Sequence, residues 1–140
     1  MIDRELIEEH LQKMEEALAR LAMYQDLSPE VLNSDLGLQW ILEKGLQVLI
    51  QNLLDIGAHV LAGGFKNDWD DYSQIIRKLA VHGVIPSDFA DKIRGMAGLR
   101  NILVHDYLRV DLEKLIEFVQ FRLEDFLVFM RLVREYLQEG

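Results

Sequence analysis

The sequence predicts an all-α protein, an up-and-down bundle of about five helices. Apolar residues recur at intervals of three and four along most of its 140 residues, which is the period of an amphipathic helix. No segment shows the strict apolar–polar alternation that is typical of a half-buried strand. Only two prolines occur, Pro29 and Pro86, and both stand at predicted helix starts. We therefore expect one helical domain over residues 1–140.

The apolar periodicity and the turn residues divide the chain into helical segments. We predict five helices, at about residues 3–24, 35–62, 72–81, 88–104 and 111–137. Glycine favours the left-handed conformation that ends helices, so Gly63-Gly64 should end the second helix and Gly83 the third. Ser87 is expected to cap the fourth helix and Asp111 the fifth, because a side-chain oxygen there can accept from a free amide.

The composition excludes several classes of protein. A net charge of −9 argues against broad nucleic-acid binding, because affinity for the phosphate backbone comes from many Lys and Arg contacts. The absence of cysteine excludes a disulfide framework and a thiolate metal site, and it fits a reducing compartment. No uncharged apolar run is long enough to span a bilayer, and MIDRELIEEH lacks the layout of a signal peptide. The prediction is a soluble cytoplasmic protein with no membrane partner.

The most reactive segment is RNILVHDY at residues 100–107, which has the form R-x4-H-x-Y. Arg100 supplies a permanent cation that can bind two phosphate oxygens at once. His105 supplies an imidazole, which is suited to proton transfer, and Tyr107 offers a hydroxyl that can be modified. Between Lys92 and Arg109 the chain carries four basic residues and a single acid, Asp106. Because the rest of the protein is acidic, an RNA-binding site would have to be a small pocket in this segment.

Helical geometry separates the two charged members of this motif. Residues five apart lie about 140° apart around an ideal helix, so convergence of Arg100 and His105 requires the length of Arg100 or unwinding near Val104. Asn101 and His105 are four apart and share a ridge. We expect Asn101 to orient the imidazole or to contact a phosphate oxygen. A histidine at a helix end can also serve only as an electrostatic cap.

The second helix carries a stripe of polar residues four positions apart. These are Glu43, Gln47, Gln51, Asp55 and His59. They form either a solvated face or a set of groups that faces a polar cavity or subunit interface and partners Arg100. Arg100 lies at the margin of an apolar arc, and a buried guanidinium needs a partner. A purely structural alternative is a salt bridge from Arg100 to Glu43 or Asp55.

Two further helix faces leave alternatives open. The fourth helix has a core arc made of Phe89, Ile93, Met96, Leu99 and Leu103, and a second arc of small or polar residues made of Ala90, Arg94, Ala97, Gly98, Asn101 and Val104. The second arc is either a close helix–helix or dimer contact or an exposed seam. The fifth helix has an apolar face that Phe118, Phe121, Phe129 and Leu132 make unusually wide. This width favours either a further subunit contact or deep burial.

The motif suits RNA cleavage by the substrate's own 2′-hydroxyl. That reaction needs a base, an acid for the leaving 5′-oxygen and a cation for the charged phosphorane. One histidine cannot fill both proton-transfer roles in a single step, so a two-fold dimer would supply the second. The sequence lacks the H-E-x-x-H, G-x-x-x-x-G-K-[ST] and G-x-S-x-G motifs and has no obvious metal-ligand spacing.

The motif and its helical context resemble the HEPN superfamily, and specifically the HepT-like toxins of HepT/MntA toxin–antitoxin systems. The similarity includes LQVLIQ at residues 46–51, DIGAH at residues 55–59 and VDLEKL at residues 110–115. It covers roughly residues 1–135.

This resemblance implies a homodimeric, metal-independent ribonuclease without a cofactor, with its cleft between two motif-bearing helices. Arg100 and His105 would be catalytic, and Asn101 would support them. A MntA-like minimal nucleotidyltransferase antitoxin would neutralise the toxin by transferring AMP to Tyr107. Two alternatives are a non-catalytic partner or substrate subunit of such a nucleotidyltransferase and a structural helical adaptor. In the simplest alternative, Tyr107 is an ordinary amphipathic residue at a helix end.

Overall fold

The computed structural model describes residues 2–65, 69 and 71–139, and at Tyr107 it describes the backbone alone. Regular secondary structure in these ranges is helical throughout. The α-helices are α1 (Arg4–Ala22), α2 (Pro29–Asn33), α3 (Leu36–Gly64), α4 (Tyr72–Val81), α5 (Ser87–Ile93), α6 (Met96–His105), α7 (Leu112–Phe121) and α8 (Leu123–Glu139). A short 3-10 helix, Tyr107–Arg109, joins α6 to α7. The all-α prediction is confirmed.

Helix α3 is the central element of the bundle. It packs along α1 and also contacts α2, α4, α6, α7 and α8. Its buried residues are Leu42, Leu46, Leu49, Ile50, Leu53, Leu54, Ile56, Gly57, Val60 and Leu61. Among the helices described, α3 has the length and composition to cross a bilayer, and 50% of its most apolar window is buried inside the fold. Most of its apolar residues after Ile41 are therefore packed within the chain, whereas Leu36, Trp40 and Ile41 are exposed.

Side-chain caps begin most of the longer helices. The capping aspartates are Asp3 at α1, Asp35 at α3, Asp71 at α4 and Asp111 at α7. Each accepts a hydrogen bond from a free backbone amide in the first turn, a contact that stabilises a helix by about 1 kcal/mol. The predicted cap at Asp111 is confirmed. The predicted cap at Ser87 is wrong, because Pro86 occupies the N-cap position and Ser87 is the first residue of α5.

The predicted helix end at Gly83 agrees with the backbone conformation, and the predicted end at Gly63-Gly64 does not. Gly83 follows α4 with a φ of 75°, a left-handed conformation that glycine adopts without a steric penalty. The amide of Val84 then donates to the carbonyl of Leu79, which closes the end of α4. Helix α3 extends through Gly64, two residues beyond the predicted end.

Two of the five predicted helices are interrupted. The fourth becomes α5 and α6, and the fifth becomes α7 and α8. At the first break Gly95 has φ −75° and ψ −8°, which stays in the right-handed helical region, so the chain bends without reversing. At the second break Arg122 has φ −116° and ψ 0°, outside helical geometry. The apolar core arc predicted for the fourth helix continues across the bend at Gly95, since Phe89, Ile93 and Met96 are all buried.

A buried carboxylate ties the two breaks together. Asp125, which is only 2% exposed, accepts from Arg122 Nε at 2.7 Å and lies 3.3 Å from Lys92 Nζ. Arg122 also donates to the backbone carbonyl of Lys92 at 2.7 Å, through Nη2. The end of α5 is thereby fixed to the start of α8. This network positions α6, which begins four residues after Lys92.

The wide apolar face of the predicted fifth helix is explained mainly by burial. Phe126 and Phe129 are fully buried, and Phe118 and Leu132 pack partly against the core. Phe121, at the end of α7, is 73% exposed. The break at Arg122 changes the direction of the helix, so both α7 and α8 turn apolar faces to the core.

Candidate active site at the end of α6

Helix α6 carries three of the four motif residues that the sequence singled out. It remains helical through His105, and the amide of Asp106 donates to the carbonyl of Ile102 at its end. Arg100 Nη1 lies 3.5 Å from His105 Nε2. The two side chains therefore converge without unwinding of the helix. The length of the arginine, one of the two routes expected from the sequence, brings them together.

The guanidinium of Arg100 is held by residues from two other helices. Its Nε donates to Gln51 Oε1 on α3 at 2.7 Å. Its central carbon lies 4.7 Å from the ring centroid of Tyr72, the first residue of α4, in a cation–π contact. Arg100 is partly exposed. The guanidinium is thus fixed at Nε and on one face while part of the side chain remains at the surface.

The structural alternative for Arg100 was a salt bridge to Glu43 or Asp55. None of the ion pairs between described residues includes Arg100. Asp55 is connected to Arg100 through Gln51, because its carboxylate accepts a hydrogen bond from Gln51 Nε2 at 2.8 Å. Burial raises the pKa of the Glu43 carboxyl above its usual range, whereas a cation beside it would lower that pKa. The positive charge of Arg100 is held by a neutral amide.

Asn101 contacts the arginine and not the imidazole. Its Oδ1 accepts from Arg100 Nη1 at 3.0 Å. The expectation that Asn101 orients His105 is therefore not met among the described hydrogen bonds. The reason is geometric: Arg100 extends along the helix surface and places its Nη1 between the two side chains. Asn101 instead helps to fix the guanidinium.

The Nε2 atom of His105 faces the guanidinium, and its role in this contact depends on the tautomer of the ring. A guanidinium can only donate hydrogen bonds, so a hydrogen bond at 3.5 Å requires the tautomer with a lone pair on Nε2. The side chain is exposed to solvent. In that tautomer His105 can act as a general base at a group bound beside Arg100.

The segment after His105 lies at the surface. Asp106 forms an ion pair with Arg109 at 3.1 Å, and the Arg109 side chain is 81% exposed. Leu108 is 88% exposed. The backbone of Tyr107 begins the 3-10 helix, but its side chain lies outside the described residues.

Ion pairs reduce the local positive charge that the sequence suggested. Lys92 lies against Asp125, and Arg109 lies against Asp106. Arg94 is exposed at the bend before α6. Among the described residues, Arg100 is the cation in contact with His105, and the four basic side chains do not form a cluster there.

An open cavity of about 530 Å³ adjoins the arginine. It is lined by Asp55, Ala58, Trp69, Asp71, Tyr72, Ser73 and Asn101. Two of these residues, Tyr72 and Asn101, also contact Arg100. Space for part of a ligand therefore exists directly beside the guanidinium.

The remaining histidines make contacts away from this site. The rings of His10 and His59 lie 5.5 Å apart, and His10 Nδ1 is 2.7 Å from Asn52 Oδ1. His82 stacks on Phe65 at 4.1 Å. Across the described ranges, no group of three or more His, Asp or Glu side chains is arranged to hold a metal ion.

Sequence reasoning missed one functional neighbour and left another undecided. Tyr72 was assigned only as a helix start, and its position under Arg100 depends on how α4 packs against α3 and α6. Gln51 belonged to the polar stripe that could either face solvent or partner the arginine. The structure selects the second alternative for Gln51 and Asp55, since both join the hydrogen-bonded chain that ends at Arg100.

Comparison with known proteins identifies the family of the chain. The family model described as "Ribonuclease HepT-like" matches residues 7–133. The chain belongs to the HepT-like ribonuclease family. The resemblance read from the R-x4-H-x-Y motif is therefore confirmed. A curated relative, the tRNA nuclease HepT of Aphanizomenon flos-aquae, is 26% identical over 136 residues, covering 97% of this chain and 92% of the relative.

Solved structures of similar proteins share the fold of this HepT-like chain. One is the tri-AMPylated HEPN toxin of Shewanella oneidensis in complex with the MNT antitoxin, with a TM-score of 0.80 and 27% identity. That alignment covers 96% of this chain and 99% of the toxin. Another is the cytosolic protein YutE of Bacillus subtilis, with a TM-score of 0.83 and 25% identity, covering 99% of this chain and 92% of YutE. The HEPN-like bundle predicted from the sequence is confirmed.

Proposed function

We propose that this chain is the toxin of a toxin–antitoxin pair and that it cleaves RNA without a metal ion. The observation that carries the proposal is the approach of Arg100 Nη1 to within 3.5 Å of His105 Nε2 on an exposed helix end. A permanent cation and a proton acceptor are the two groups that 2′-hydroxyl attack on a phosphodiester needs first. Membership of the HepT-like ribonuclease family supports the same reaction.

The reaction proceeds as an internal transesterification. His105 Nε2 removes the proton of the 2′-hydroxyl, and the 2′-oxygen attacks the adjacent phosphorus. Arg100 stabilises the charge that develops on the non-bridging oxygens. The bond from phosphorus to the 5′-oxygen then breaks, and that oxygen takes a proton from a general acid. The products are a 2′,3′-cyclic phosphate and a 5′-hydroxyl.

We assign the general acid to a second copy of the chain. In the described part of one subunit, the other histidines make contacts elsewhere, with His10 against Asn52 and His82 against Phe65. A two-fold dimer that pairs the ends of two α6 helices brings a second His105 to the cleft. Gly98 and Asn101 lie exposed on that helix, and no other group approaches the open side of Gly98 within 4 Å. This surface has room for the close approach of a second helix.

A nucleotidyltransferase antitoxin neutralises the toxin in our proposal by transferring AMP to Tyr107. Tyr107 follows His105 by two residues, and its neighbours Leu108 and Arg109 are exposed. Adenylate groups there would place negative charge beside the arginine and repel the RNA backbone. The solved complex of a tri-AMPylated HEPN toxin with its antitoxin supports this assignment. We also place the protein in the cytoplasm, like the cytosolic relative YutE.

The test is RNA cleavage by the purified protein in EDTA. We expect cleavage to persist, with products that carry cyclic phosphate ends. Changing His105→Ala should lower the rate by about 10²–10⁴-fold, the usual contribution of a general acid–base group. His59→Ala, which alters a histidine outside the site, is the matched control and should keep wild-type activity. Loss of cleavage in EDTA, or full activity of His105→Ala, would refute the mechanism.

The antitoxin assignment has a separate measurement. Incubation with a MntA-like nucleotidyltransferase and ATP should increase the intact mass by whole AMP units, and Tyr107→Phe should abolish the increase. A mass gain on a wild-type protein that never cleaves RNA would favour the second candidate function, a non-catalytic substrate subunit of the nucleotidyltransferase.

A further inference from the structure

Gln51 connects the arginine of the site to an acidic residue behind it. Its Oε1 accepts from Arg100 Nε at 2.7 Å, and its Nε2 donates to Asp55 Oδ1 at 2.8 Å and to the Tyr72 hydroxyl at 3.2 Å. Both Nε2 hydrogens and the amide oxygen are therefore engaged. The side chain lies on the central helix, partly buried, so its position is set by the core.

We propose that Gln51 is a positioning residue that presents Arg100 to the substrate phosphate and separates its charge from Asp55. This inference rests on the proposed ribonuclease function. An arginine that touches a carboxylate directly forms a strong charge-assisted pair, and its charge is then largely compensated. A neutral amide between the two fixes the guanidinium with one hydrogen bond and leaves the positive charge available for a phosphate.

The orientation of the amide follows from its neighbours. An ionised Asp55 can only accept hydrogen bonds, so the amide nitrogen of Gln51 must face it. The amide oxygen then faces Arg100. No other arrangement of the Gln51 amide satisfies both contacts. Asp55 therefore acts on Arg100 indirectly, by holding Gln51 in the orientation that accepts from the guanidinium.

The same bond selects the edge of the guanidinium that meets the substrate. Nε is occupied by Gln51, and the ring of Tyr72 covers one face of the group. Nη1 donates to Asn101 and lies next to His105, so Nη2 is the nitrogen without a hydrogen bond among the described residues. A phosphate that binds at Nη2 is therefore held by the same guanidinium that contacts Nε2 of the imidazole. Gln51 thus couples phosphate binding to the position of the base.

Three variants distinguish the effect of the position of the carboxylate on activity from the effect of the total charge. Gln51→Glu places a carboxylate on Arg100 and should lower kcat/KM about 100-fold, comparable to the loss of one preorganised donor. Asp55→Asn keeps an oxygen that can accept from Gln51 Nε2, so it should lower kcat/KM far less than Gln51→Glu does. The double variant Gln51→Glu/Asp55→Asn has the same net charge as wild type and should remain as impaired as Gln51→Glu. Recovery of the double variant to wild-type activity would overturn the proposal.

Binding of an uncleavable RNA distinguishes positioning from general structural damage. A 2′-O-methyl oligonucleotide should bind Gln51→Glu about tenfold more weakly than wild type, a difference of about 1.4 kcal/mol. In a protein that already carries Arg100→Ala, adding Gln51→Glu should not change the Kd for this oligonucleotide. An equal loss of binding with and without Arg100 would mean that Gln51 acts through the fold, and the proposal would be wrong. Thermal unfolding of each variant is measured in parallel.

This pair of assays also separates the inference from the function on which it rests. A wild-type protein that binds the oligonucleotide but never cleaves RNA in EDTA contradicts the proposed function, while the binding cycle still tests Gln51. A wild-type protein that cleaves RNA, with Gln51→Glu equally active and equally tight in binding, contradicts the inference alone.

Discussion

Two arginines of this molecule have almost the same local geometry and opposite uses of their charge. Arg100 lies over the Tyr72 ring at 4.7 Å, and Arg122 lies over the Phe118 ring at 5.4 Å. Each donates through Nε to an oxygen at 2.7 Å. Arg100 lies within α6, and Arg122 follows the end of α7. The distance and the stacking do not distinguish them.

The acceptor distinguishes the two sites. Arg122 donates to the carboxylate of Asp125, which is 2% exposed, and also to a backbone carbonyl of α5. Its positive charge compensates the buried carboxylate, and its hydrogen bonds connect the two helix breaks. Arg100 donates to a neutral amide, so its charge has no such partner in the described residues. In our proposal, the charge of the group that accepts from Nε separates the structural Arg122 from the substrate-binding Arg100.

The largest expected effect comes from removing the arginine with the available charge. Arg100→Ala should lower kcat/KM by about 10²–10³-fold, because the cation that stabilises the phosphorane is lost. The free energy of unfolding should fall by only about 0.5–1.5 kcal/mol, the usual net value of one hydrogen bond. Cleavage assays and urea denaturation measure the two effects. An Arg100→Ala protein that cleaves normally but unfolds readily would reverse the assignment.

The paired arginine should show the opposite pattern. Arg122→Ala removes the closer partner of the buried Asp125 carboxylate and should cost about 1–3 kcal/mol of stability, with Lys92 as the remaining partner. Activity per folded molecule should change far less than in Arg100→Ala, provided that cleavage is measured well below the melting temperature. A large loss of kcat/KM without a loss of stability would contradict the structural role.

The smallest effect concerns Glu43, the acid that the sequence offered as a partner for Arg100. Burial raises the pKa of this carboxyl, so ionisation costs the folded state more than the unfolded state. That cost is absent below the ordinary pKa of glutamate and is fully present above the raised pKa. Glu43→Gln should therefore stabilise the protein more at pH 7 than at pH 4, by less than about 0.5 kcal/mol for a partly exposed group.

The sign of this pH effect shows whether Glu43 is paired with Arg100. An ion pair with Arg100 would lower the pKa of Glu43, and Glu43→Gln would then destabilise the protein at pH 7. Urea denaturation of wild type and variant at the two pH values decides between these signs. Cleavage by Glu43→Gln should equal that of wild type, because Glu43 does not contact the site.

The sequence predicts the helical fold well because the apolar period is local information. The third predicted helix, the cap at Asp111 and the glycine end at Gly83 depend on residues close in the chain. The bend at Gly95 was missed because the apolar arc continues across it. The break at Arg122 was missed because it is stabilised by Asp125 and by the carbonyl of Lys92, 30 residues away.

As with the helices, the sequence predicted the local part of the candidate site and missed its long-range contacts. Arg100, Asn101 and His105 belong to one short segment, and the reactive groups are evident from their types and spacing. The partner of Arg100 was not, because Gln51 is 49 residues away and several polar residues share its stripe. The direction of Asn101 was missed because ideal helix geometry omits the reach of a long arginine side chain. Long-range packing supplied what local pattern could not.

The most direct test of the account compares the two guanidinium groups in one experiment. Nitrogen-15 NMR of the arginine side chains, assigned with Arg100→Lys and Arg122→Lys, follows both while a 2′-O-methyl oligonucleotide is added. We predict that the Arg100 signals shift with saturation and that the Arg122 signals stay in place. A titration that moves Arg122 and leaves Arg100 unchanged would contradict the claim that the neutral acceptor marks the arginine that binds phosphate.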